Sequence, residues 1–149
     1  RWPRTLTTTT VMKLLTKQSD YAIRALLYLA RQSPASVSAR QIAEAERIPL
    51  QFLRGIAQTL VRHGFAQSRQ GARGGLTLAR APRTIRLADV LQLFQGPVQL
   101  AECLFRKKLC HNHATCVLRL RLASIERKVQ AEFNTITIAH LLKDLENAS

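Results

Sequence analysis

The fold turns on residues 38–64, SARQIAEAERIPLQFLRGIAQTLVRHG. Ser38 can cap a short helix over Ala39 to Ala45, and Gln41, three residues on, can return the bond and close a capping box. The joint Glu46-Arg47-Ile48 leads into Pro49, which suits the first turn of a helix because its missing N–H would go unbonded there anyway. In the helix that follows, Leu50, Leu53, Ile56, Ala57, Leu60 and Val61 share one face, while Gln51, Arg54, Gln58 and Arg62 occupy the other. The pattern runs to about His63, and Gly64 is the flexible residue expected just past a helix end. Two short helices with a tight joint, the second presenting arginines and amides, form the pattern of a helix-turn-helix. Arginine and glutamine are side chains that can bond two atoms of one base edge at once.

The next stretch reads as strand, turn and strand: Phe65 to Arg69, then GlnGlyAlaArgGlyGly, then Leu76 to Arg80. Its three glycines, Gly71, Gly74 and Gly75, permit positive φ in the loop. A basic hairpin directly after a recognition helix is a wing, and arginines at its tip can enter a narrow, electronegative minor groove. The loop lacks the spacing and the following helix of a nucleotide-binding loop.

Upstream, Ala22, Ile23, Leu26, Leu27 and Ala30 form one apolar stripe, which predicts a helix from about Lys17 to Arg31 capped by Thr16 or Ser19. Asp20 falls in its first turn, where the helix dipole favours a carboxylate. Downstream, Leu118, Leu122, Ile125, Val129 and Phe133 recur at helical intervals. Such a stripe either packs within one subunit or pairs with the same helix of a second chain. Pairing is the reading that a two-fold operator favours.

The chain has 149 residues, 46% of them hydrophobic, and a formal net charge of +14. That composition is globular rather than disordered, and no apolar run approaches the roughly 18 residues that span a bilayer. The charge implies an anionic partner, either nucleic acid or an acidic membrane surface. It is concentrated: no acidic residue lies between Glu46 and Asp89, against the eight arginines Arg47, Arg54, Arg62, Arg69, Arg73, Arg80, Arg83 and Arg86. The opening RWPRTLTTTTV lacks the apolar centre of a signal peptide, which points to a cytoplasmic protein. Met12 reads as a natural start, so residues 1–11 are expected to be an upstream extension or a cloning remnant.

All 3 cysteines lie in ECLFRKKLCHNHATC, at Cys103, Cys110 and Cys116, with His111 and His113 between them. Thiolates and imidazoles this close suit a thiophilic metal or an iron–sulfur cluster. A disulfide framework fits poorly, because three cysteines leave one unpaired.

Five stretches in one order then resemble the IscR and NsrR type of bacterial winged-helix regulators. They are LTKQSDYAIR at 15–24, IPLQFL at 48–53, GARGG at 71–75, LADV at 87–90 and ITIAHL at 136–141, with the cysteine segment between the last two. The resemblance covers the chain from Met12 onward. It implies a homodimeric regulator that binds a pseudo-palindromic operator in double-stranded DNA and carries a [2Fe–2S] or [4Fe–4S] cluster on three cysteines of each subunit. Those positions match Cys103, Cys110 and Cys116, the first spacing being one residue longer than in the best-known members. IscR-like members add a histidine three residues past the last cysteine, where this chain has Arg119. NsrR-like members add an aspartate from the first helix of the other subunit, which matches Asp20. Asp20 is the favoured fourth ligand, with His111 and His113 as further candidates. The family reads bases from the start of the recognition helix, here Gln51, Arg54 and Gly55; Gln58, on the polar face of the same helix, is a further candidate for DNA contact. Its wing arginine falls at Gln70, so Arg69 or Arg73 can replace it.

The expected fold is therefore mostly α with a small β-wing: a winged helix-turn-helix domain over 12–98, a cluster-binding loop over 99–116, and a dimerisation helix with the C-terminal segment over 117–149. No acid–base pair points to an enzyme. Two rivals share the DNA-binding head: a structural zinc site built from the same cysteines and histidines, and a cluster-free sensor working by thiol oxidation.

Overall fold

The computed structural model describes residues 13–100 and 116–149. Helix α1 (Lys17–Gln32) starts where Thr16 Oγ1 accepts the Ser19 N–H at 3.2 Å. Thr16 is thus the cap, and Ser19 lies fully buried one turn in, its hydroxyl oxygen accepting a bond from Thr16 at 3.0 Å. The buried stripe is Ala22, Ile23, Ala25, Leu26 and Leu29. Leu27 and Ala30, expected in it, are only half-buried, because neighbours close around α1 on the side of Ala25 and Leu29.

Helix α2 (Ala39–Glu46) begins with both bonds of the capping box, Gln41 N–H to Ser38 Oγ at 3.1 Å and Ser38 N–H to Gln41 Oε1 at 2.8 Å. Arg47 ends it in the left-handed region at φ 53°, which turns the chain into α3 (Leu50–Arg62). Pro49 sits at the cap position just before α3 rather than inside its first turn. Leu53, Ile56 and Leu60 are the buried face of α3. Its end is a Schellman arrangement: Gly64 at φ 72° donates to Val61 O at 3.1 Å, and Phe65 N–H reaches Leu60 O at 2.9 Å.

Strands β1 (Ala66–Arg69) and β2 (Gly75–Leu78) pair antiparallel, from Ala66 opposite Leu78 to Arg69 opposite Gly75. Val37 adds a third partner, exchanging two bonds with Leu76 at 3.0 and 2.7 Å. Only two of the three wing glycines use positive φ, Gly71 at 107° and Gly75 at 145°. At Gly74 the constraint is space, since a Cβ there would lie 2.3 Å from Arg69 O.

A 3₁₀ turn (Pro82–Thr84) and α4 (Leu87–Gln95) complete the head. After residues 101–115 come α5 (Val117–Thr135) and α6 (Ile138–Ala148). The chain end returns to the head: Ile138 N–H bonds Ile85 O at 3.0 Å and Leu87 N–H bonds Ile136 O at 2.8 Å. Ile138, fully buried, belongs to the same core as Leu26, Leu29, Ile42, Leu53, Leu60, Ile85 and Val90. Helix α5 differs from the rest in having no buried residue. Among the described residues no helix is long and apolar enough to cross a membrane.

Candidate nucleic-acid interface and cysteine segment

Burial of Leu53, Ile56 and Leu60 turns the opposite face of α3 outward, so Gln51, Arg54, Gln58 and Arg62 are all exposed. The hairpin stands beside that face. Between α3, the start of α2 and the wing runs an open groove lined by Arg54, Gln58, Arg62 and Arg69 and by the backbone of Gly71 and Gly74. Arginine and amide donors thus converge with bare glycine backbone, a combination that can meet base edges and phosphates together.

The groove does not gather every candidate. Gln51 lies in a second depression with Gln18, Phe52, Gly55, Leu93 and Phe94. Gln70 and Arg73 are exposed in the wing loop outside the groove, and Arg73 O is held by the Ser36 hydroxyl at 2.9 Å. Arg62, by contrast, joins the groove although the sequence marked it only as part of the polar face. Its spacing of four from Gln58 was the available signal. Gly55 is exposed mid-helix with nothing within 4 Å of where a Cβ would stand, so packing gives no reason for its being glycine.

Of the cluster candidates, Asp20 and Cys116 fall among the described residues; Cys103, Cys110, His111 and His113 lie outside them. Asp20 is on α1 with its side chain 51% exposed, paired with Arg24 at 3.6 Å. Arg24 also donates from Nε to Glu46 Oε2 at 3.2 Å and from Nη2 to Glu46 O, which ties α1 to the end of α2. Cys116 is a free, half-buried thiol at the N-cap of α5. Among the described residues no three His, Cys, Asp or Glu side chains come together as a metal site.

A hairpin wing packed beside a two-helix motif with an exposed arginine and amide face defines a winged-helix DNA-binding transcriptional regulator. More particularly, the chain belongs to the Rrf2 family, described as iron-dependent transcriptional regulators, whose family model matches residues 15–144. It is 30% identical over 134 residues to the HTH-type transcriptional regulator NsrR of Shouchella clausii, covering 88% of this chain and 87% of that one. The solved structure of T. potens IscR superposes with a TM-score of 0.75 at 25% identity, over 93% of this chain and 91% of the other. CymR, the global cysteine regulator of B. subtilis, shares the fold with a TM-score of 0.71 at 22% identity, over 89% and 98%. The relatives are regulators, and this chain is a regulator rather than an enzyme.

Proposed function

We propose that this regulator is a homodimer whose affinity for a pseudo-palindromic operator is set by an iron–sulfur cluster, [2Fe–2S] or [4Fe–4S], held by the Cys103–Cys116 segment. The observation that carries the reading is the donor set. Every cysteine of the chain lies in one window, and the last of them, Cys116, is a free thiol at the start of α5. Three thiolates with a nearby carboxylate or imidazole fit iron and sulfide chemically. Cys103, Cys110 and Cys116 would supply the thiolates, and Asp20 of a second copy the fourth ligand. When bound, such a cluster supplies a crosslink that is sensitive to redox state and to small ligands. Asp20, which would help hold it, pairs with Arg24, and Arg24 bears on Glu46 at the end of the first helix of the DNA-binding pair. The change in operator affinity is limited to the free-energy difference between the linked and unlinked arrangements.

Dimerisation through α5 is supported by Leu118 and Ile125, members of the predicted stripe that stand exposed. Phe133, from the same predicted stripe, packs instead against the core of its own subunit. Base reading is assigned to Gln51, Arg54 and Gln58, and backbone or minor-groove contact to Arg69, Gln70 and Arg73.

The test is the absorption spectrum with iron and sulfide content of protein purified without oxygen. A coloured protein that loses its iron, sulfide and chromophore in each of Cys103→Ala, Cys110→Ala and Cys116→Ala, yet stays a folded dimer, supports the reading. A colourless zinc-loaded protein points to the structural metal site. A colourless metal-free protein whose DNA binding follows thiol oxidation points to the cluster-free sensor.

A further inference from the structure

Arg80 is one of the eight arginines of the acid-free stretch between Glu46 and Asp89, and by composition it belongs to the DNA-facing charge. The fold gives it other work. Its Nε donates to Gly64 O at 2.8 Å and its Nη2 to His63 O at 3.0 Å. His63 is the C-cap of α3, whose carbonyl lacks an intrahelical partner, and Gly64 is the residue just past it, so the cation stands where the helix dipole favours one. The guanidinium also lies over the Phe65 ring, 4.5 Å from its centroid. Arg80 follows β2 by two residues, and Phe65 immediately precedes β1, so the contact closes the base of the wing. Directly beside it, Ala79 N–H bonds Phe65 O at 3.0 Å.

One side chain therefore touches three consecutive residues, His63, Gly64 and Phe65, at the junction of recognition helix and wing. The angle between the two depends on that junction, because Gly64 at φ 72° is its most permissive residue. The planar guanidinium bonds both carbonyls through one rigid fork while it stacks on the ring; an ammonium would keep the charge but lose the fixed fork and most of the stacking.

We propose that Arg80 is a positioning residue for operator recognition: it fixes the wing against the end of α3 so that the groove between them fits one DNA geometry, and it does not itself neutralise a phosphate. The groove side chains Arg54, Gln58 and Arg69 come from both halves of that hinge, which is why its angle bears on specificity.

Arg80→Lys and Arg80→Ala, measured on operator and random DNA across a salt series, decide the matter. Both substitutions should weaken operator binding about tenfold, or about 1.4 kcal/mol, and leave random-DNA binding close to wild type. The salt slope should be unchanged, whereas loss of a phosphate contact lowers it by about one. Amide exchange at Ala79 should quicken in both variants, and circular dichroism should show the helices intact. If the Ala variant proves too unstable, the Lys variant alone carries the test. Full operator affinity in the Lys variant, or a slope reduced by about one in the Ala variant with both DNAs weakened alike, would overturn the proposal and make Arg80 a phosphate contact.

Discussion

Gln95 and Thr16, far apart in sequence, are joined through a side-chain amide that acts as a piece of backbone. Gln95 Oε1 accepts the Thr16 N–H at 2.9 Å, and its Nε2 donates to Leu14 O at 2.7 Å. The two bonds lock the segment that leads into α1 against the last residue of α4.

Gln95→Ala removes both bonds and leaves the two exposed backbone groups to water. At about 0.5–1.5 kcal/mol net per bond, a loss of about 1–3 kcal/mol is expected, with the start of α1 fraying first. Denaturant unfolding gives the total, and amide exchange at Thr16 and Ser19 gives the location. An unchanged midpoint with unchanged exchange would mean that the latch does not hold in solution.

Gly55 is a case in which stability and function should move in opposite directions. A glycine inside a helix costs about 0.5–1 kcal/mol relative to alanine, and no neighbour stands within 4 Å of the missing Cβ. Gly55→Ala should therefore stabilise the head by about 0.5–1 kcal/mol. If the bare backbone lets DNA approach α3 closely, the same change should weaken operator binding several-fold. A variant more stable and equally good at binding would remove Gly55 from the interface.

Gly75 should behave in the opposite way. Its φ of 145° is strained for any other residue, and a Cβ would meet Val37 O at 2.7 Å. Gly75→Ala should cost about 1–3 kcal/mol and break the bond exchange between Leu76 and Val37. Loss of the Val37 and Leu76 amide protection, alongside a lower melting temperature, is the expected signature.

The contrast between these glycines shows where sequence stopped informing. Ser38 with Gln41, the turn at Gly64 and the polar face of α3 were legible because each depends on neighbours within four or five residues. The wing was legible as a hairpin, yet Val37 as its third partner was not, since nothing local in Ser36-Val37-Ser38 signals pairing across 39 residues to Leu76. Arg80 was counted as one more positive charge because a side chain's destination is a tertiary fact. The same holds for Gln95, and for Ile138, which the linear pattern set apart from the head and the fold places in its core.

Asp20 offers a discriminating test of the fourth ligand. Its pair with Arg24 is a half-exposed i,i+4 contact at 3.6 Å, worth about 0.3–0.5 kcal/mol. As a first-turn carboxylate it adds about 0.3–1 kcal/mol. Asp20→Ala should thus cost the apo-protein little. In iron-loaded protein it should shift the spectrum and speed decay of the chromophore well beyond that small cost. An unaltered spectrum and decay rate would return Asp20 to a structural role and turn attention to His111 and His113.

Arg54 and Arg73 separate reading from holding. Arg54 lies in the groove on the exposed face of α3, where a bidentate contact to a base edge, guanine foremost, is within its chemistry. Arg73 lies in the wing loop outside the groove, its carbonyl fixed by Ser36, which suits contact with the DNA backbone. Arg54→Ala should cost about 1–3 kcal/mol on the operator and relax specificity at one position, narrowing the gap to random DNA. Arg73→Ala should weaken both DNAs evenly and lower the salt slope by about one. Binding isotherms on both DNAs at several salt concentrations resolve the two patterns. Should the patterns come out exchanged, the wing reads sequence and α3 serves to hold the backbone; should neither variant change any affinity, DNA must meet a different face of the head.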